Sequence, residues 1–595
     1  MGAFGRGLYD IYAVNGKTPP FIGAFADGVY VANNQPTTLA GATTFARSGN
    51  ATMFDSDGVL KWAPHNLLTY SEQFDNAAWS TYSSGMTVSS DAGSSPYGAD
   101  TADLLSWDVG SGNKFRVQTL SLAANTTVTT SIWLKSVSGD IVIGFGRGAY
   151  TGATGDNLVQ FTIGEEWQKV QITFTTTQAD NGFVGIDQRP AGTASSGSIL
   201  VWGAHVYRSD LGGMVDNPAT GDSYVPTVAS PIHLPREGSH LYEGGAWVNN
   251  GLQLESEART NLVVQSEDFS NAAWSKQNVT TGTAVTSPDN SANAYPFVET
   301  TGTGEHNAFE TVTGALTSGA PTTFSTFYKY VDRPFANLRT NLTGSWTNTF
   351  FNVQTGVIVS TGAGLTSAIE DCGSGWYRCS VTVLSASSTG DATVTVGMSA
   401  DGTSAGYTGD GTSSILIYGA QLEAGSTPSS YIPTAGSTVT RAAETETTDN
   451  FTFNSNSMWF TLKGTETFAD LNTAGQVTLF DWRADANNRI TITIDTDGAE
   501  TGEVTLTMVS GGVSWVVAAD YLSPGINVPF NIAWRVTDAD INLAVGGTAS
   551  TANTSVTSIP DLSSATAAFN GMGTRALFRA GVGDIGDTGI AEAST

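Results

Sequence analysis

Two cysteines in 595 residues, Cys372 and Cys379, are too few for a disulfide framework and lack the four-ligand spacing of a structural zinc site. They leave a local hairpin bridge or, more simply, two free thiols. Basic residues are scarce too: 25 Lys plus Arg stand against 54 Asp plus Glu, a formal net charge of −29. A phosphate backbone would be repelled, which excludes nucleic acid as a partner. No apolar run approaches the roughly 18 residues of a membrane-spanning helix, so membrane insertion is not expected. The first ten residues contain no stretch of signal-peptide length, and we expect synthesis in the cytoplasm, with any outside role reached through a particle or lysis. Charged residues make up only 13% of the chain while glycine reaches 68, a composition that disfavours long amphipathic helices and suits short strands joined by turns.

What is present is a repeat. Asn66-Leu-Leu-Thr-Tyr-Ser-Glu-Gln-Phe-Asp-Asn-Ala-Ala-Trp-Ser80 and Asn261-Leu-Val-Val-Gln-Ser-Glu-Asp-Phe-Ser-Asn-Ala-Ala-Trp-Ser275 share ten of fifteen residues. The register continues through Ser131-Ile-Trp-Leu-Lys135 and Ser325-Thr-Phe-Tyr-Lys329 to Ser223-Tyr-Val-Pro-Thr227 and Ser430-Tyr-Ile-Pro-Thr434. Along the way it places Asn113 and Phe115 on Asn307 and Phe309. Alternation such as Val170-Gln-Ile-Thr-Phe-Thr175 marks strands, and strands at this spacing form a two-sheet sandwich or jelly roll. We therefore expect an all-β chain: an extended N-terminal attachment arm (1–60), sandwich module 1 (61–230), a linker (231–256), module 2 (257–436) and a third sandwich (445–595).

Several strings with catalytic overtones fail on context. Gly16-Lys17-Thr18 lacks the first glycine of a phosphate loop, Ile11 standing there, and Pro19-Pro20 follows where a helix must run. Gly581-Val-Gly-Asp-Ile-Gly586 fits a dinucleotide fingerprint with no room for a βαβ unit after it. Glu444, Glu446 and Asp449 resemble the paired acids of sandwich glycanases but read as a solvated connector. His233 and His240 with Glu237 and Glu243 read as a polar linker rather than a metal site. No catalytic residue is expected, and no enzyme.

Trp79 and Trp274, at identical repeat positions, are expected to anchor the cores together with Trp167 and Trp376. Sugar recognition needs a flat apolar ring beside fixed amides or carboxylates, and aromatics in Gly-rich turns offer both. On that ground the candidate ligand residues are Trp107, Asn113, Tyr150, His306, Asn307 and Tyr407. No cofactor is expected. Asp401-Gly402, Asp410-Gly411 and Asp495-Thr-Asp497 could hold structural calcium, with ordinary turn chemistry the favoured reading.

Phe45-Ala-Arg-Ser-Gly-Asn-Ala-Thr-Met-Phe-Asp-Ser-Asp-Gly-Val-Leu60, Glu257-Ala-Arg-Thr-Asn-Leu262, Gly375-Trp-Tyr-Arg-Cys-Ser-Val-Thr382 and Tyr418-Gly-Ala-Gln-Leu-Glu-Ala-Gly425 resemble virion-surface proteins of tailed phages, of head-spike or tail-fibre type. That resemblance implies carbohydrate-binding-like sandwiches followed by a concanavalin-like or laminin-G-like domain. It also implies display on the virion surface and adhesion to host-surface glycan. Capsid or tail proteins would be partners through the arm, and the chain would be a homo-oligomer, trimer or pentamer. The rival readings are a structural decoration protein without glycan binding, a secreted adhesin, and a tailspike depolymerase.

Overall fold

The computed structural model describes residues 11–82, 86–109, 114–148, 157–176, 180–188, 196–471, 473 and 475–595. It is 55% strand and 3% helix, an all-β chain of tandem sandwiches. The chain divides into a unit of residues 61–234 and a larger one of residues 1–60 with 235–595.

In the smaller unit, one sheet runs Gln168–Thr175, Thr127–Ser136, Gly197–Arg208, Ala102–Trp107, Met86–Gly93. The other runs Asn157–Ile163, Ile141–Gly148, Asp180–Asp187, Phe115–Leu122, Ser80–Tyr82. All pairings are antiparallel, and the inward residues of both sheets, among them Leu105, Ile132, Ile143, Val184 and Val201, close one core.

Module 2, within the larger unit, repeats this order. Its sheets run Trp376–Val383, Thr322–Tyr330, Ser414–Ala424, Ala292–Glu299, Val279–Thr281 and Thr347–Asn352, Phe335–Thr340, Gly390–Ser399, Thr303–Leu316, Ser275–Gln277. Each gains two strands: an outer edge strand, Thr366–Asp371 on the first and Val357–Ser360 on the second, and a short side strand, Val285–Thr286 on Ala292–Glu299 and Gly406–Thr408 on Thr303–Leu316. Even the irregularities match. The register slips between Ser131 and Trp133 in one module and between Ser325 and Phe327 in the other. Gly203 and Gly419, both at φ +65, occupy the bulged partner strand, where a side chain would be strained.

The repeated words are the fold's fastenings. Asn66 donates to the carbonyls of Ala204 (3.1 Å) and Val225 (2.8 Å) and accepts from the amides of Leu68 and Val206. Asn261 does the same with Ala420 (3.0 Å), Ile432 (2.8 Å), Val263 and Leu422. Four bonds use the full capacity of the amide. Ser71 meets the Tyr224 hydroxyl and takes the Thr227 amide, as Ser266 does with Tyr431 and Thr434. The Trp79 and Trp274 indoles are buried and donate to the carbonyls of Tyr70 and Gln265. Trp376 is buried as well, whereas Trp167 is half-buried beside Trp202 and Tyr224, outside the main core.

Strand pairing corrects one alignment. Ser80 faces Val117 and Ser275 faces Phe309, so Phe115 corresponds to Asn307 and Lys114 to His306. The sequence register is displaced by two, which keeps every side chain on the same face and so leaves the pattern undisturbed.

Residues 445–595 form the third sandwich, and residues 21–46 of the expected extended arm (1–60) are part of it. Phe21–Ala24 pairs with Met572–Val582, Val29–Ala32 and Gln35–Thr37 follow, and Thr44–Ala46 extends the opposite sheet through Thr445–Thr448. Phe21 and Phe25 lie in the same core as Trp482, Trp534 and Phe578. The linker is likewise recruited: Leu252–Glu255 pairs with Met572–Val582, and Ile232–His233 closes on His65–Asn66 within the smaller unit. The chain ends in a helix, Gly586–Ala593, whose Ile590 and Ala593 pack with Trp459 and Ala544.

Two of the three supposed solvated acids, Glu444 and Glu446, are also internal. Glu444 is buried between Arg47 and Arg236, each at 2.5 Å, and Arg236 reaches Glu255 at 2.7 Å. Burial pushes the Glu444 carboxyl up, but Arg236 and Arg47 hold it below the ordinary range. Glu446 is buried without such a partner, and desolvation pushes it up to about 8. Asp449 is exposed.

Candidate functional site

In the second sheet of module 2, Ala308, Ala336, Leu338, Val394 and Val396 face the core, so the alternate residues line the outer face. Pairing sets two rows across it, Asn307–Gly397–Asn337–Phe350 and Phe309–Thr395–Arg339–Asn348. Gly397 keeps the floor low at its centre, since a Cβ there would lie 2.9 Å from Asn307 Cβ.

Over this floor the connection before Thr347–Asn352 presents Trp346, 49% exposed. The Arg339 guanidinium lies 4.3 Å from its ring centroid and donates to Glu305 at 2.6 Å. Glu305 also accepts from Asn307 at 3.0 Å, and Asn337 donates to Asn348 at 3.2 Å. Asn307 and Asn337 are almost wholly buried, and the Oδ1 atom of each lacks a partner, as does Arg339 Nε. Buried acceptors without donors are uncommon in folded proteins. The face thus combines an open aromatic ring, a cation fixed behind it, a carboxylate, and amides with unused capacity. Trp346 satisfies the criterion applied to the other aromatics, since it follows Gly344-Ser345 in a turn, yet it was not among the residues selected.

Of the selected residues, Asn307 belongs to this face and His306 and Tyr407 do not. They stack on each other at 4.1 Å and 24° at the end of the core. The Tyr407 hydroxyl donates to Glu299 at 2.6 Å, and Arg333 donates twice to the same carboxylate, at 2.5 and 2.9 Å. Burial pushes the Tyr407 phenol up, and its bond to Glu299 adds to the shift. Burial raises Glu299, but the bonds from Arg333, the Asp410 amide and Tyr407 leave it below the ordinary range. The cluster is a cap whose polar groups serve one another, apart from the buried ring nitrogens of His306, which have no partner.

Module 1 differs here. Trp107, expected to meet ligand, is buried in the core because Gly197 opposite leaves room for its ring. Asn113 and Tyr150 lie outside the described residues. Where module 2 has Asn307, Asn337 and Arg339, module 1 has Phe115, Gly144 and Gly146.

The calcium turns are closed by their own carboxylates: Asp401 accepts from the Thr403 and Ser404 amides, Asp410 from those of Thr412 and Ser413, and Asp495 from Asp497. No cluster of three His, Cys, Asp or Glu suited to a metal occurs among the described residues. Cys372 and Cys379 are free and buried, and desolvation pushes both thiols up. No described helix is long and apolar enough to cross a membrane.

No family model matches the chain, and no curated protein matches it significantly. Among solved structures it is similar to the CBM22-1–CBM22-2 tandem domain of Paenibacillus barcinonensis Xyn10C (13% identity, 61% of this chain, 98% of that chain, TM-score 0.22). It is also similar to mouse laminin α1 domains LG4-5 (11% identity, 50% of this chain, 90% of that chain, TM-score 0.16). A third similarity is to the M60 catalytic domain with CBM51 domains of Clostridium perfringens ZmpB (9% identity, 66% of this chain, 44% of that chain, TM-score 0.17).

Proposed function

We propose that this chain is a non-enzymatic adhesion protein that binds host-surface glycan through the outer face of module 2. The observation that carries the reading is Trp346, an open indole held over Arg339 beside Glu305 and Asn348. A pyranose stacks its C–H face on such a ring while its hydroxyls exchange hydrogen bonds with fixed polar groups. Hydroxyls entering as the Glu305–Arg339 pair shifts would supply donors to the Oδ1 atoms of Asn307 and Asn337.

The setting we propose is a tailed-phage particle, with the chain displayed as a homo-oligomer so that weak sites act together. That proposal rests on the resemblance carried by residues 45–60, 257–262, 375–382 and 418–425. Attachment to capsid or tail proteins would then use a surface other than strands Phe21–Ala24 to Gln35–Thr37, which are committed to the third sandwich. Screening the full chain against host-envelope glycans tests the function. Retention of a glycan class, lost in Trp346→Ala at unchanged melting temperature, is the expected result. Absence of any retained glycan would favour a purely structural decoration protein, and retention indifferent to Trp346 would overturn the assignment of the site to this face.

A further inference from the structure

A polar cavity lies in the larger unit where the segment entering module 2 passes the third sandwich. Its volume is about 370 Å³, within the range of small-molecule sites. Glu257, Arg259, Asp481 and Thr496 are among its lining residues, with Phe468 and Met572 supplying apolar surface.

Two of these residues are buried with unused polar atoms. The Arg259 side chain is 4% exposed; its Nη1 donates to the Ala424 carbonyl and its Nη2 to Glu257 at 2.6 Å, leaving Nε without a partner. Thr496 is 2% exposed and its hydroxyl has no partner. Asp481, held by Arg483, is mostly buried and keeps acceptor capacity.

The mixture of signs limits what can enter. A cation would meet the Arg259 guanidinium, and an anion would meet Glu257 and Asp481 in a chain of net charge −29. Arg259 Nε needs an acceptor, the carboxylates need donors, and the Thr496 hydroxyl can take either role. Each alcohol group both gives and accepts, so a polyol meets all these demands at once, and the faces of Phe468 and Met572 suit a pyranose ring.

We infer that this cavity binds a neutral, hydroxyl-rich molecule of about mono- to disaccharide size, independently of the Trp346 face. Saturation-transfer NMR on the full chain with glucose and N-acetylglucosamine at millimolar concentration, followed by crystal soaks with the same sugars, tests it. Bound sugar should contact Arg259 and Thr496. Thr496→Val should weaken it about tenfold, the equivalent of one hydrogen bond. Ser426→Phe, which fills the cavity from its lining, should abolish it at unchanged melting temperature, and Trp346→Ala should leave it intact. Comparing free sugar with sugar immobilised through its anomeric carbon separates a soluble ligand from a glycan terminus. Soaks showing no sugar in the cavity, or full-strength binding in both cavity variants, would overturn the inference without touching the proposal for module 2.

Discussion

At the position where module 2 carries Glu299, module 1 carries Trp107; for His306 it has Lys114, for Asn307 Phe115, and for Arg339 Gly146. Yet Asn66 and Asn261 make the same four bonds, and the same bulge sits on Gly203 and Gly419. Duplication has preserved what fastens the sheets and released what lies on the sheet face and at the end of the core. The repeat words are therefore evidence about folding, and the differences between copies are where function is to be sought.

The largest expected effect separates the modules by how they are tied in. Glu255, just before module 2, accepts from Ser430 of that module and joins Arg236, Arg441 and Glu444 in a buried cluster. In module 1 the described pairs Lys114–Asp108 and Arg208–Asp210 reach solvent. Arg236→Ala takes one of two cationic partners from each of the buried carboxylates Glu444 and Glu255, leaving Arg47 and Arg441, and should cost about 3 kcal/mol in the larger unit. Hydrogen exchange should show module 1 unaffected, and equal loosening of both units would break the contrast.

Next come the shared fastenings. Asn66→Ala and Asn261→Ala should each cost about 3 kcal/mol, because four backbone groups around each lose a side-chain partner. Matching losses in chemical denaturation, each confined to its own module by exchange, would confirm equivalence; a cost in one module alone would refute it.

The pH response should separate the modules again. Around its fastening module 1 holds His65, stacked on His233 at 5.8 Å, and His205, whose ring donates to the His65 carbonyl. Module 2 has Thr260 and Gln421 in the places of His65 and His205. Desolvation pushes His205 down to about 4 and holds His65 well below its ordinary value, with His233, His205 and Arg208 adding repulsion at His65. Tyr207, Tyr224, Lys169 and Asp222 also face His205. A folded-state value below the unfolded one means that the unfolded chain binds protons first. Stability from these histidines is therefore intact above about pH 6.5 and lost as pH falls towards 4, by about 2–3 kcal/mol for His205. Acid titration followed by exchange should open module 1 before module 2, and His205→Gln should narrow the gap.

The smallest effect distinguishes the cap from the binding face. Tyr407→Phe removes one bond to a charged acceptor, costing about 1.5 kcal/mol, and should leave glycan retention unchanged. Loss of retention would move the site to the cap.

The sandwiches were legible because strand alternation and a duplicated text are local signals. The N-terminal strands were not, since Phe21–Ala24 and Val29–Ala32 are four residues each and their partner Met572–Val582 lies at the other end of the chain. Nor was Glu444: its burial depends on Arg47 and Arg236, distant in sequence, and a Thr- and Glu-rich string looks solvated without them. Asn307 was legible as a polar residue in a repeat, but its neighbours Asn337 and Arg339 come from another strand and Trp346 from a turn beyond it. Trp107 was misjudged because the Gly197 that admits its ring into the core is far along the chain.

The most direct test is to locate a retained oligosaccharide on the intact chain by crystallography. The account predicts sugar stacked on Trp346, with hydroxyls on Asn348 and Glu305, and none on the equivalent face of module 1. Sugar on module 1, or a Trp346 ring left bare while glycan sits elsewhere, would contradict it.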